Sequence, residues 1–267
     1  MEPDPSHDNV GLTPPRLPKS AFDTSIFLAE KSARRSHPFV TDFHSHVLRQ
    51  AMDVVKLAFQ RYASGQLAVA FNGGKDCTVL LDLVIRTWYE RSSQANNSTV
   101  QRSLDSATVP ILAVYFRSRP QFSEVEDFIQ EKIRELAIPL EIYDGDLKES
   151  LAKFTRRHPS IQGIFMGTRC DDPWSQHLQS FSPTDPSWPS VMRILPLLNM
   201  SYHHIWLYLR EFDVSYCKMY DIGYSSIGWK GNTFINPRLI VREVDGKVEY
   251  KPAYLLENSD EERLYRQ

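Results

Sequence analysis

Phe71-Asn72-Gly73-Gly74-Lys75-Asp76-Cys77-Thr78 is the stretch around which the rest of the chain is arranged. Before it, Gln66 to Phe71 (QLAVAF) reads as a short apolar strand. After it, Cys77 to Trp88 carries Val79, Leu80, Leu83, Val84 and Trp88 at helical spacing. A strand, a glycine turn and a helix start point backbone N–H groups and a positive dipole end at one spot, which suits a phosphate. Gly73 and Gly74 let an oxyanion touch the main chain, and both tolerate positive φ. A carboxylate beside phosphates, as Asp76 would be, points to a bridging Mg²⁺. The turn taken alone fits a plainer description equally well: an ordinary helix opening with Asp76 as its first-turn acid.

Outward from this stretch, bulk properties set limits. With 267 residues and 42% hydrophobic content, the chain can build one large core. A net charge of −2 argues against a nucleic-acid partner. The pairs Arg34-Arg35 and Arg156-Arg157 read as solvated faces. No run of about 18 apolar residues is present, so no membrane helix is expected. The polar, proline-bearing start lacks the apolar region of a secretory signal. Cys77, Cys170 and Cys217 are odd in number and far apart, neither a disulfide framework nor a zinc pattern. A reducing, cytoplasmic location follows. A monomer is expected, since the polar ends and loops offer no obvious apolar patch.

Along the chain, residues 1–20 read as a disordered tail, and 21–267 as a single domain. A helix is expected between Ala21 and Arg35. A second, capped by Thr41, carries Phe43, Val47, Ala51, Val55, Ala58, Phe59 and Tyr62 on one side. Arg91 to Thr108 reads as a polar loop. Strands follow at Pro110–Phe116, Leu140–Tyr143 and Ile161–Met166, separated by helices from Phe122 to Leu136 and from Asp146 to Arg157. This alternation predicts an α/β fold, a doubly wound, mostly parallel Rossmann-like sheet with ligands beyond the strand ends. The Gly73-Gly74 turn, Phe116-Arg117 and Gly167-Thr168-Arg169 all fall at such ends.

From Cys170 onward the pattern turns irregular and loop-rich. A fifth strand is expected at Ile194–Leu198 and a helix from Ser201 to Phe212, with His203 and His204 facing outward. Asp245-Gly246 between Leu239–Val244 and Lys247–Tyr250 predicts a β-hairpin. Glu257 to Gln267 reads as a short charged helix.

The opening loop resembles the SGGxD[ST] pyrophosphate loop of ATP pyrophosphatases, with Asn72 and Cys77 at the first and last positions. Further pieces are GTRCDDP (167–173), FSPTDPSWP (181–189), MRILPLL (192–198), YCKMYDIGYSSIG (216–228), NTFINP (232–237) and PAYLLENSDEERLYR (252–266). In this order and spacing they resemble eukaryotic-type FMN adenylyltransferase (FAD synthetase), of the PAPS reductase-like, adenine nucleotide alpha hydrolase-like group, over roughly residues 40 to 266. The resemblance implies that AMP passes from ATP to FMN, giving FAD and pyrophosphate with Mg²⁺. It also implies residue roles. Asn72, Asp76 and Arg169 would be catalytic, with Asp76 holding the metal. Ala70, Phe71, Gly73, Gly74, Lys75, Tyr115, Phe116, Arg117 and Gly167 would bind ATP. Asp172, Asp185, Trp188, Arg193, Arg263 and Arg266 would bind the flavin, the last two sharing one helix face.

Each residue has a plainer reading. Arg263 and Arg266 beside Glu261 and Glu262 fit a solvated tail, Asp185 a turn, and Trp188 the core. The chain departs from the family pattern at Cys170 (usually Arg), Asp171 (Thr), Asn199-Met200 (Asp-Trp) and His204 (Asp). Three alternatives remain: a different ATP pyrophosphatase, such as a tRNA-modifying one, against which the net charge speaks; a flavin- or nucleotide-binding relative without turnover; and a PAPS reductase-type oxidoreductase. The last needs a nucleophilic cysteine on a C-terminal segment, and no cysteine follows Cys217.

Overall fold

Residues 42–63, 65–96, 111–244 and 247–266 are described in the computed structural model of the chain. The expected tail, the helix within 21–35, the Thr41 cap and the Asp245-Gly246 turn lie outside these residues, as does most of the polar loop after Asn96. A π-helical turn, Phe43–Val47, leads into α1, Leu48–Arg61. Then come β1 (Leu67–Ala70), α2 (Lys75–Asn96), β2 (Leu112–Arg117), α3 (Ser123–Leu136), β3 (Leu140–Asp144) and α4 (Leu147–Arg157). The second half supplies β4 (Gly163–Phe165), β5 (Phe181–Pro183), β6 (Met192–Ile194), α5 (Tyr202–Glu211), β7 (Ile240–Val244) and β8 (Lys247–Tyr250).

The main sheet has the order β3-β2-β1-β4-β6-β5, parallel except for the antiparallel edge strand β5. The chain builds outward from β1 through β2 to β3, then returns to place β4 on the other flank of β1. The strand order therefore reverses at β1, which makes a crevice beyond the ends of β1 and β4. The alternation along β1 explains the layering. Leu67 and Val69 join the large core with α1, α2, α3 and α5, whereas Ala68 faces a smaller cluster with Val114, Leu151, Phe154, Ile161, Ile164 and Val191. Gly163 lets β4 pack tightly here, because a Cβ would lie 2.8 Å from Ile194 Cδ1 and 2.9 Å from Leu67 Cδ2.

The α/β sheet expected from the alternation is thus present, with several local differences. Helix α2 continues to Asn96, through the first part of the expected polar loop. There, Ser92 returns its hydroxyl to the Trp88 carbonyl (3.0 Å), satisfying itself within the helix. The fifth strand is not Ile194–Leu198. Met192–Ile194 pairs with β4, and Phe181–Pro183 pairs outside it. A three-residue strand ending in proline sits at the edge, where no ladder donor is needed. Of the expected Glu257–Gln267 helix, the described residues 257–266 form no α-helix; a 3₁₀ turn at Ser259–Glu261 is followed by turns, and Arg266 bridges to Thr233.

The expected outward placement of the α5 histidines is also corrected. Ser201 and His204 form a reciprocal capping box, the Ser201 Oγ accepting from the His204 N–H and the His204 Nδ1 from the Ser201 N–H. The His204 ring is buried and stacks on Phe43 at 5.6 Å. Burial lowers its pKa, so the ring is held neutral and able to accept that bond. His203 Nε2 lies 3.0 Å from the Leu256 carbonyl.

Candidate active site

The 71–78 loop leaves β1 with the Phe71 N–H still on the Val114 carbonyl (2.9 Å) and enters α2 at Lys75. Gly73 has φ +75°, and a Cβ there would meet Ile129 Cγ1 at 2.9 Å and Val125 Cγ1 at 3.0 Å. Both backbone and space therefore call for glycine. Within the loop the Gly74 N–H donates to Asn72 Oδ1 (3.0 Å), and the Lys75 N–H donates to Tyr220 Oη (3.0 Å). Thr78 closes the first helical turn, its N–H and its hydroxyl both donating to the Gly74 carbonyl. The turn after β4 comes equally close. A Cβ on Gly167 would lie 3.1 Å from the Cys77 nitrogen.

Three carboxylates and three cations lock together behind this loop. Lys75 Nζ pairs with Asp76 Oδ2 (3.0 Å) and with Glu262 Oε1. Arg169 is fully buried, with its Nη2 on Glu262 Oε2 (2.5 Å) and its Nε 3.1 Å from Asp76 Oδ1. Asp172 Oδ2 accepts from the Arg169 N–H (3.0 Å), and its Oδ1 accepts from Arg263 Nη2 (2.5 Å). The segment carrying Glu262 is itself fixed. The Glu262 carbonyl accepts from Ser225 Oγ, and buried Asn236 donates to both Ser225 Oγ and the Glu261 carbonyl.

Burial opposes charge on Asp76, but Lys75 and Arg169 overcome it and hold its pKa below the ordinary carboxylate value. Burial likewise opposes charge on Arg169, and Asp76 and Glu262 more than restore it, so its pKa is raised. Asp172 goes the other way: burial raises its pKa, although Arg263 pulls against the rise. Burial and then the like charge of Arg263 lower the pKa of Arg266. A guanidinium in that state gains from an added anion. Burial raises the Cys77 thiol to about 12, so it is inert at neutral pH.

Above this network a cavity of about 310 Å³ opens at the β1/β4 reversal point. Its size lies at the lower end for small-ligand sites. The expected residues Ala70, Phe71, Asn72, Gly74, Lys75, Asp76, Tyr115, Phe116, Gly167, Asp172, Arg263 and Arg266 all line it. Arg169 lies beneath the wall, and Gly73 shapes the turn without lining the cavity. Arg117 is drawn away to Asp144 (Nε to Oδ1, 2.5 Å) and Glu126 (Nη1 to Oε1, 3.2 Å).

Asp185, Trp188 and Arg193 stand outside the lining. Arg193 donates to the Pro183 carbonyl (2.7 Å) and lies 3.8 Å from Asp185 Oδ1, while Trp188 packs on the smaller core cluster. The departures from the family pattern settle into local contacts. Cys170 and Asp171 are exposed, Asn199 bonds Gln50 (3.0 Å), and Met200 is core.

Sequence reading missed Tyr220, Ser226 and Ile227 on the cavity wall, and Glu262 behind it. Tyr220 and Ser226 sit inside a quoted motif with no chemistry visible in their spacing. Glu262 adjoins Glu261 and Arg263, so it reads as part of a charged tail until its partners are known.

The Phosphoadenosine phosphosulfate reductase domain profile matches residues 66–233. The chain is 37% identical over 215 residues to "Probable FAD synthase" of Schizosaccharomyces pombe, covering 79% of this chain and 76% of that protein. It is 36% identical over 220 residues to "Probable FAD synthase" of Caenorhabditis elegans, covering 82% of this chain but only 40% of the worm protein. Candida glabrata FMN adenylyltransferase in complex with FMN and the ATP analog AMPCPP superimposes with a TM-score of 0.76 at 21% identity, covering 91% of this chain and 93% of that one. This last likeness speaks for the fold. Taken with the loop, the reversal point and the arginine-bearing tail, these matches show that the chain belongs to the FAD synthase family of the PAPS reductase-like superfamily.

Proposed function

We propose that the chain transfers AMP from ATP to the phosphate of FMN, giving FAD and pyrophosphate. One observation carries the reading: the Gly74-Lys75 helix start and the tail arginines Arg263 and Arg266 line a single cavity. Two anions can therefore meet there, each facing its own cations. The identity to FAD synthases supports the same reading.

FMN phosphate is a dianion above its second pKa of about 6, so it is already a nucleophile. One of its oxygens bonds to the α-phosphorus of ATP as the bond from that phosphorus to the bridging oxygen breaks. Pyrophosphate leaves with the electron pair, and no proton need move. What the protein must supply is alignment and charge neutralisation. Lys75 and the start of α2 face the leaving pyrophosphate, with Asn72 beside the reacting phosphate. Arg263 and Arg266 hold the FMN phosphate, and Arg169 supports the loop from behind. Tyr115 and Phe116 offer a wall for the adenosine. Asp172 ties Arg263 to the loop. Asp185, Trp188 and Arg193, outside the cavity, belong to an isoalloxazine or ribityl contact along the β5–β6 edge.

Mg²⁺ suits the donor set. Asp76 Oδ1 is buried and makes no hydrogen bond. Among the described residues no cluster of three or more metal-ligating side chains exists, but Mg²⁺ commonly takes one or two carboxylates and completes its shell from phosphates and water. Asp76 would hold it, and when bound it would neutralise triphosphate charge. The proposed partners are small molecules, without nucleic acid, and the chain acts as a cytoplasmic monomer. Among the described residues no helix is long and apolar enough to cross a membrane.

The direct test incubates the protein with FMN, ATP and Mg²⁺ and follows FAD and pyrophosphate together. Tight FMN binding without FAD would favour a binding protein. Arg263→Ala and Arg266→Ala are each expected to raise the KM for FMN about 10- to 100-fold, with a smaller change in the KM for ATP, since each removes a charge-assisted phosphate contact. Unchanged FMN affinity in both would return the arginines to a solvated tail.

A further inference from the structure

The geometry points to Tyr220 as a hydrogen-bond donor to the β,γ-phosphates, a role that rests on the adenylyl-transfer reading above. Tyr220 is 1% exposed and comes from the 3₁₀ turn Lys218–Ile222, 145 residues beyond the loop it touches. Its hydroxyl stands at the start of α2 and accepts the Lys75 N–H at 3.0 Å. A Cβ placed on Gly74 would lie 3.9 Å from that oxygen, so the hydroxyl flanks the loop where the main chain is barest. The residue also lines the cavity, alongside Gly74, Lys75 and Asn72.

A phenol oxygen can accept and donate at once. Here the acceptor side is taken by the backbone. Among the described residues the hydroxyl donates to no protein acceptor. Its hydrogen is therefore left for something entering the cavity. Burial, with Asp76 adding to it, keeps the phenol well above its ordinary pKa, so the hydrogen is present at any working pH. The Lys75 N–H is one of the helix-start donors otherwise available to a phosphate, and Tyr220 occupies it. The tyrosine thus relays that donor outward: the amide polarises the hydroxyl, and the hydroxyl presents the hydrogen. The group recognised is a pyrophosphate-type anion, as a chain segment or as the released product.

Its ring is held from three sides by Trp206 (5.4 Å, edge-on), Tyr216 (6.4 Å) and the loop itself, which fixes the hydroxyl without a flexible arm. Tyr216 provides a matched control, because its own hydroxyl donates to Asp221 (2.9 Å) outside the cavity.

The test is calorimetric titration of the full chain with inorganic pyrophosphate and, separately, with AMP. Tyr220→Phe is expected to weaken pyrophosphate about tenfold, the effect of one lost hydrogen bond, and to leave AMP unchanged. Tyr216→Phe should leave both unchanged. Equal pyrophosphate affinity in wild type and Tyr220→Phe, or an equal loss for both ligands, would overturn the role. If Tyr220→Phe does not fold, 3-fluorotyrosine at position 220 reports instead. Its ¹⁹F resonance should move with pyrophosphate and not with AMP, and a resonance that ignores pyrophosphate overturns the role. A wild-type protein that binds pyrophosphate through Tyr220 yet forms no FAD would sink the adenylyl-transfer reading while leaving this one standing.

Discussion

Asp76→Asn is expected to lower kcat for FAD formation by about 10²–10³-fold, the scale of losing one preorganised electrostatic group at a reacting phosphate. Asn keeps the volume and can still accept from Lys75 Nζ (3.0 Å from Oδ2 in the native loop), so the loop should survive. What disappears is the negative charge that balances Lys75 and Arg169 and offers Oδ1 to a cation. Raising Mg²⁺ should not restore the rate, because the carboxylate itself is missing.

The pH dependence separates this residue from the substrate. Asp76 is held below its ordinary 3.8 and stays ionised throughout the working range. Its contribution to stability is whole above that ordinary value and is lost only as pH falls through the lowered folded value. The acid limb of wild-type kcat/KM should therefore lie near pH 6, where FMN phosphate takes up its second proton. A limb near pH 4 in steady-state rates would assign it to the protein instead.

Glu262→Ala is expected to cost about 3–5 kcal/mol of stability, measured by urea unfolding. The carboxylate is 6% exposed and faces two cations that are themselves buried, Lys75 at 1% and Arg169 at 0%. Truncation leaves one cation with Asp76 and the other with Asp76 and Asp172, too little negative charge for both. Glu262→Gln should cost less, since the amide oxygen still accepts. The double change Lys75→Met with Glu262→Leu should cost less than Glu262→Ala alone, because it removes a charge of each sign. A loss below about 1 kcal/mol for Glu262→Ala would mean the pair is open to water, as exposed ion pairs are.

What the sequence revealed, and what it hid, follows from the range of the forces involved. The β1 strand, its glycine turn and the start of α2 were legible because local alternation, helical spacing and backbone freedom all act within a few residues. So was the parallel sheet, whose buried strands must be apolar throughout. Helix α2 overran the expected loop because Arg91-Ser92 is polar, and polarity marks exposure rather than the end of a helix. The strand at Phe181–Pro183 was hidden by its proline and its length; only the edge position beside Met192–Ile194 makes it possible.

His204 and Glu262 misled for a related reason. Each carries a polar group whose usual place is in water, and each is buried against a residue far away in the chain. The His204 ring lies on Phe43, and Glu262 sits 187 residues from Lys75. No window of sequence contains both members of such a pair. Resemblance to a family named Arg263 and Arg266, but not the neighbouring acid that anchors their segment.

That long-range anchor bears on how the molecule is made. A ribosome delivers the ammonium of Lys75 well before the carboxylate that will seat it, and Arg169 waits too. Until Glu262 emerges, Lys75 and Arg169 must share Asp76, with Asp172 beside the arginine, so the last stretch of the chain completes the wall of the cavity.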